Sequence, residues 1–414
     1  MESLLYLAHR IPYPPNKGDK IRSFNMLKHL SKSYRVYLGT FVDDPTDKQH
    51  LPVLRAMCHE VYALDIDPKL RKLWSLTGLL RGEALSLVYY RTRKMQAWIR
   101  EKLLADGVRR ALVFSSSMAP YVRGIGGDAV RKVIDFVDVD SEKWRQYGQR
   151  HPWPLGWLYR REARTLLDFE SSVAGEFSTS IFVSKEEAEI FCRRAPGVAA
   201  RVTHIRNGVD TSYFSPDGDY ENPFIQGDRT LVFTGMMDYW ANVDAVTWFA
   251  EEVFPHVRAC VPGVSFYIVG ARPSREVRRL EMLENVHVTG TVRDTRPYLA
   301  HASVIVAPMR IARGLQNKIL EAMAMARPVI ATSGAVEGLE VPDEMASFVQ
   351  DSPRDLAERC IDLLDHEEIS LHLGRVARRH VVRNHNWGVN LKRVEGFLEA
   401  DGEPRLPKCR GEAL

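Results

Sequence analysis

At 414 residues the chain is longer than a single hydrophobic core usually grows, and at roughly 150 residues per domain it predicts two domains. Hydrophobic residues at 45% and charged residues at 27% exclude a disordered polymer and a fibrous repeat. Lys plus Arg at 57 against Asp plus Glu at 53 gives +4, too weak to imply nucleic acid, and five scattered cysteines with no C-x-x-C pair predict neither disulfides nor a zinc site.

In chain order, short β-branched or aromatic runs alternate with amphipathic helical stretches, the pattern of βα units on parallel sheets. Strands are predicted at 4–8, 35–42, 61–66, 111–114, 132–137 and 179–183 in the first half, and at 230–234, 265–269, 286–289, 304–307, 328–332 and 347–350 in the second. Helices are predicted from about Lys20, over 243–257 and over 315–325. Between the two sets, residues 207–228 hold three glycines, two prolines and four aspartates with little periodicity, and read as an interdomain linker. The expected architecture is therefore α/β, with two doubly wound domains whose ligands bind beyond the carboxyl ends of the strands, in a cleft between them. The N-terminal domain covers 1–206, the C-terminal domain 207–385, a helix at 386–400 follows, and 401–414 is a polar tail. Residues 1–15 lack the basic region of a signal peptide, and no apolar run reaches the roughly 18 residues of a span. A cytoplasmic protein is expected, at most peripheral on the inner face of the cell membrane.

Five segments carry candidate chemistry. The loop HRIPYPPNKGDKIR (9–22) is stiff, basic and leads into a helix, so Gly18 is a point of close ligand approach, with Lys17, Lys20 and Arg22 supplying positive charge. Residues 69–110 contain eleven Lys or Arg against three Asp or Glu, net +8, interspersed with Leu70, Leu73, Trp74, Leu80, Tyr89, Tyr90 and Trp98. That composition suits either solvated helix faces or an anionic membrane surface. DFVDVDSEKW (135–144) ends a strand with Asp135, Asp138 and Asp140, placed to orient a hydroxyl or take a proton; without a nearby His, no metal is expected. Ser184 and Glu187 read as a capping box.

The densest constellation is 309–332. Arg313, Gly314 and Leu315 precede a helix whose free N-H groups form an anion cradle, and Lys318 lies one turn in. Glu321, three residues on, shares that helix face and is placed to accept hydrogen bonds from two ribose hydroxyls.

Together NGVDTSYFSP (207–216), VG (269–270), NVHVTG (285–290) and KILEAMAMARPVIAT (318–332) resemble the retaining glycosyltransferases of family 4, whose fold is GT-B. The loop PPNKGDKIR (14–22) and DFVDVDSEKW (135–144) look more narrowly like sugar transferases of bacterial exosortase and exopolysaccharide gene clusters. The resemblance implies two Rossmann-like domains, with a nucleotide-sugar donor on the C-terminal one, a glycan or polyprenyl-linked acceptor on the N-terminal one, the helix at 386–400 crossing back to join the N-terminal domain, and no metal or other cofactor. It assigns Glu321 to the ribose, the Gly314 and Leu315 N-H groups to the diphosphate, Gly235 and Arg293 to the donor's surroundings, and Asp138 to the sugar or acceptor. Catalysis then falls to Asp138, Lys318 and Glu321, with Lys17, Lys20, Arg22, Asp135 and Asp140 on the acceptor side. Arg313 stands where the family pattern has its first glutamate, and 234–244 lacks the usual basic pair, leaving Lys318, Arg313, Arg272 or Arg206 to supply that charge. A hexosyltransferase is the leading expectation. The competing readings are a nucleotide-sugar epimerase of the same fold and a non-catalytic scaffold. A dinucleotide oxidoreductase is disfavoured, since no G-x-G-x-x-G follows either first strand.

Overall fold

The computed structural model describes residues 1–15, 18–225, 227–311 and 316–399. The chain divides into two compact units, Met1–Arg206 with the chain from Gly388 onward, and Asn207–Trp387.

The first unit holds seven parallel strands: β1 Glu2–Ala8, β2 Tyr34–Val42, β3 Glu60–Asp65, β4 Arg110–Phe114, β5 Arg131–Val137, β6 Thr179–Phe182 and β7 Val202–His204, in the order β3-β2-β1-β4-β5-β6-β7. β1 is central, Leu4 opposite Val36 and Leu5 opposite Ala111, so both its faces are covered. That is why Leu4 to Ala8 form an unbroken apolar run rather than an alternating one. The last helix, Trp387–Glu399, belongs mostly to this unit: Tyr34 and Ser33 donate to its Glu399 and Glu395, and Arg110 to the Leu398 carbonyl.

The second unit holds β8 Arg229–Thr234, β9 Val264–Val269, β10 Val286–Gly290, β11 Val304–Ala307 and β12 Val329–Ala331, in the order β10-β9-β8-β11-β12. Three expectations are corrected here. Residues 347–350 form no strand; a 3-10 turn over Asp343–Phe348 leaves only Val349 bridging Ala331. The helix expected over 243–257 is two helices, Trp240–Trp248 and Phe254–Cys260, joined by a π turn, because Pro255 has no N-H to continue the ladder. Residues 207–228 are not a free linker: Asp210 accepts the N-H groups of Ser212 and Tyr213, and Phe214, Tyr220 and Phe224 pack on the second core. Gly208 is required there, since a Cβ would lie 2.7 Å from the His385 carbonyl and 2.8 Å from the Trp387 nitrogen.

Both sheets reverse strand order beside their first strand, between β1 and β4 and between β8 and β11. Loops leaving those strands open a crevice at each carboxyl edge.

Candidate active site

In the second unit the loop after β8 carries Gly235, whose N-H donates to the Val269 carbonyl at 3.0 Å, and Met237 donates to Ala271 at 2.8 Å. The loops after β8 and β9 are thus zipped together, and the space a Gly270 Cβ would need is filled by the Gly235 carbonyl. Asn242 is buried beside them. Its amide donates to the Met236 carbonyl at 2.9 Å, which turns its Oδ1 outward to accept from Lys318 Nζ at 2.6 Å.

Lys318 stands on the Asn317–Ala324 helix, which forms because Ile319, Leu320, Ala322 and Met323 bury one face. Among the described residues no side chain caps its N-terminus and the Asn317 and Lys318 N-H groups meet no acceptor, while the Ile319 N-H donates to the Gln316 carbonyl at 3.0 Å. The Lys318 ammonium lies 4.0 Å from the centroid of the Phe233 ring and 3.6 Å from the Met309 sulfur, with no carboxylate in ion-pair range among the described residues. Loss of hydration pushes its pKa down to about 7, Glu321 opposing only in part. The same cause pushes the Glu321 carboxyl up to about 7, Lys318 opposing, and this carboxylate has no hydrogen-bond partner among the described residues. Two ionisable groups on one helix face, each short of its own counter-charge, mark this crevice as the candidate site.

The rim of this crevice was not legible beforehand. Arg296 is clamped by Asp294 (2.6–3.0 Å) and lies 3.8 Å over the Tyr213 ring centroid. Loss of hydration raises the pKa of the half-exposed Tyr213 hydroxyl, Asp294 reinforcing and Arg296 opposing. Arg293, expected to flank the base, is exposed. Arg310 is ion-paired with Asp244 and Arg272 with Asp238, so neither is an uncommitted phosphate ligand. Arg313, Gly314 and Leu315 lie outside the described residues, as does Lys17.

At the carboxyl edge of the first sheet the expected site residues are placed differently. Gly18 heads the Gly18–Leu30 helix, exposed and with open space where a Cβ would be. Arg22 and Asp135, expected on the acceptor side, are instead fully buried and paired at 2.7 Å, Arg22 also donating to the Ile205 carbonyl. Lys20, expected beside them, is buried against Asp47 at 2.6 Å. These charges stabilise one another because burial leaves no water to do so. Asp135 has a second task, accepting the Val137 N-H at 3.0 Å. Val137 sits at φ 70, a strained conformation for a β-branched residue, and the strain turns the chain so that Asp138 and Asp140 stand at the edge. Both are partly exposed and share Lys143, at 2.7 and 3.2 Å. Ser184 caps the following helix by accepting the Glu187 N-H, and the Glu187 carboxylate accepts the Val139 N-H at 2.6 Å.

A groove of about 620 Å³ on the flank of this unit, lined by Leu87, Arg91, Arg123 and Phe169, touches the basic 69–110 segment but none of the other candidate segments. Among the described residues no three His, Cys, Asp or Glu gather as metal ligands, and no helix is long and apolar enough to cross a membrane.

Against known proteins, residues 228–366 match the family Glycosyl transferases group 1. The chain is 26% identical over 275 residues to the GDP-mannose-dependent alpha-(1-6)-phosphatidylinositol monomannoside mannosyltransferase of Mycolicibacterium smegmatis, covering 62% of this chain and 70% of that one. Its fold is similar to Anabaena Alr3699/HepE in complex with UDP-glucose, with TM-score 0.65 and 15% identity over 96% of this chain and 99% of that one. It is equally similar to WaaG, a glycosyltransferase involved in lipopolysaccharide biosynthesis, with TM-score 0.65 and 15% identity over 96% and 100% of the two chains. The architecture is GT-B, two parallel-sheet domains of seven and five strands.

Proposed function

From a glycosyl transferases group 1 domain carried on a GT-B fold, we propose a glycosyltransferase that moves a hexosyl group, with retention, from a nucleotide-diphosphate sugar to a lipid-linked or saccharide acceptor in exopolysaccharide or cell-surface glycan synthesis. The acceptor is met at an anionic membrane surface toward which the basic 69–110 region faces. The observation that carries the reading is the Lys318 and Glu321 pair, two under-compensated charges one turn apart at the switch point of the second sheet.

As the bond from sugar C1 to the diphosphate oxygen breaks, negative charge grows on that oxygen while the sugar becomes oxocarbenium-like. Lys318 and the open N-H groups of its helix would stabilise that charge more in the transition state than in the ground state. Glu321 would accept the ribose hydroxyls and fix the donor's register. Asp138, held at the edge of the first unit by the Val137 turn, is assigned to the sugar or acceptor hydroxyl. The hydroxyl's proton would pass to the departing phosphate oxygen, giving nucleoside diphosphate and the glycosylated acceptor. With Lys318 supplying the compensating charge, this reading invokes no metal.

The relatives' printed donors differ in base and sugar, GDP-mannose in one and UDP-glucose in the other. A calorimetric screen of UDP-, GDP- and ADP-sugars, followed by turnover with membrane-extracted acceptors with and without a chelator, tests the proposal. One donor should bind and be consumed, with or without chelator. Binding of none would overturn the reading, and an epimerised donor formed without acceptor would replace it.

A further inference from the structure

Nine of the twelve exposed large hydrophobic side chains in Met1–Arg206 fall within two short stretches, 70–80 and 147–157. The first is the helix Pro68–Ser75 with the following turn Thr77–Arg81. Asp67 caps that helix by accepting the Lys69 and Leu70 N-H groups, and Leu70, Leu73 and Trp74, at i, i+3 and i+4, form a face turned to solvent, Trp74 being 65% exposed. Leu80 is 91% exposed. The second stretch is the turn between the helices Asp140–Arg150 and Leu155–Glu176, where Trp153 is 81% and Trp157 53% exposed.

The two stretches share one end of the unit. Glu176, at the foot of the long helix, reaches Lys132 at the start of β5, and Glu170 accepts from Ser141 beside the carboxyl edge. The fifteen residues from Leu155 to Glu170 therefore extend roughly 22 Å past that contact. At the same height Arg161 donates to the Gly78 and Glu83 carbonyls, and Glu162 accepts the Leu85 and Ser86 N-H groups. Leu80 is held between those anchor points, and Trp157 lies one turn before them. Lys69, Lys72 and Arg81 on one side, and Arg150 and Arg160 on the other, are exposed around the apolar residues.

Other members of the basic region are committed within the unit. Arg91 is paired with Glu83, Lys102 with Glu60 and Asp106, and Arg110 with Glu2, while Trp98 is buried.

We propose that these two apolar projections, the Leu70 to Leu80 face and the Trp153 to Trp157 turn, form a single wedge that inserts into the interfacial layer of an anionic bilayer, with the surrounding cations on the headgroups. Indole rings suit the water-to-acyl boundary, aliphatic tips suit the layer below, and Lys and Arg suit anionic phosphates. The inference deepens the proposed function, and rests on it only in that a lipid-linked acceptor is met at a bilayer.

The test is sedimentation of the full chain with vesicles of phosphatidylcholine alone or with added phosphatidylglycerol. Wild type should partition onto the anionic vesicles. Leu73→Glu with Leu80→Glu, and separately Trp153→Glu with Trp157→Glu, should each weaken partitioning at least about tenfold. Changing Lys69, Lys72 and Arg81 to Gln should remove the preference for anionic lipid. Bromine-labelled acyl chains should quench wild-type tryptophan fluorescence. No partitioning of wild type, or partitioning indifferent to both apolar pairs, overturns the proposal. So does self-association that the same substitutions abolish in a chain that ignores vesicles. Nucleotide-sugar binding, measured on every variant, reports folding and the donor site independently, so loss of lipid binding alone leaves the transferase reading standing.

Discussion

At the carboxyl edge of the first sheet the charged side chains are matched with partners: Arg22 with Asp135, Lys20 with Asp47, Arg10 with Asp19 and Asp43, Lys143 with Asp138 and Asp140. At the same edge of the second sheet Lys318 meets only an amide oxygen, a ring and a sulfur, and Glu321 meets no donor among the described residues. One edge has spent its electrostatics on holding a shape, whereas at the other the paired Arg272, Arg296 and Arg310 surround two charges left short of partners. Like residue types in like loops thus do different work, and burial with partner count tells them apart.

The largest effect expected of this contrast is on stability, in the first unit. Asp135→Ala leaves a buried guanidinium without its carboxylate and removes the brace on Val137, so thermal unfolding should show a loss of about 3–5 kcal/mol. Replacing both members, Arg22→Met with Asp135→Leu, should recover much of it. A double variant as unstable as the single one would show that the brace matters more than the charge.

In the second unit the order of effects should invert. Lys318→Ala and Glu321→Ala should each lower kcat/KM about 10²- to 10³-fold, while stability changes by less than about 1 kcal/mol. Wild-type turnover by both would remove them from the site.

How far the sequence foretold this contrast depends on the range of the interaction. The central strands were legible because burial on two faces writes a continuous apolar run, as in 4–8 and 304–307. Residues 347–350 hold only Phe348 and Val349 as such a run, flanked by Ser347 and Gln350, and the chain leaving Pro342 curls into a 3-10 turn there. Three-residue β7 was too short to stand out. Lys318 and Glu321 were found because i, i+3 spacing is local. Asn242, which orients Lys318 across 76 positions, was not, and Arg296 stacked on Tyr213 from 83 positions away was missed for the same reason. Arg22 and Asp135 were expected on the acceptor side, because their separation of 113 residues hid that they satisfy one another.

A third expectation tests the unmatched state itself. With Lys318 held down to about 7, most of its amine is neutral at pH 8 and should take up a proton when a diphosphate binds. With Glu321 held up to about 7, its carboxyl is mostly protonated at pH 6 and should release a proton on accepting hydroxyl hydrogen bonds. Calorimetry of nucleotide-sugar binding in buffers of different ionisation heat should therefore show net uptake at pH 8 and net release at pH 6. Asn242→Asp, which places a carboxylate on Lys318 as the first unit would, should abolish the uptake. Uptake unchanged in that variant would mean that another group titrates.

The smallest effect concerns a matched carboxylate at the rim of the first unit. Burial works against ionising Asp19, but His9 at 3.6 Å, Arg10 at 3.3 Å and the Lys20 N-H together hold its carboxyl well below the usual range. Because the folded value is depressed, the group adds stability above its unfolded value of about 3.9 and loses it as pH falls toward the folded value. Asp19→Asn should accordingly cost about 1–2 kcal/mol at pH 7, discounted for its position at the rim, with more than about half of that cost still present near pH 3 and the rest lost only as pH falls toward the folded value. Denaturant melts of the two proteins at several pH values provide the check. A difference that stays constant with pH would place the contribution of Asp19 in hydrogen-bond geometry rather than charge, and the matched edge would then owe its stability to shape more than to electrostatics.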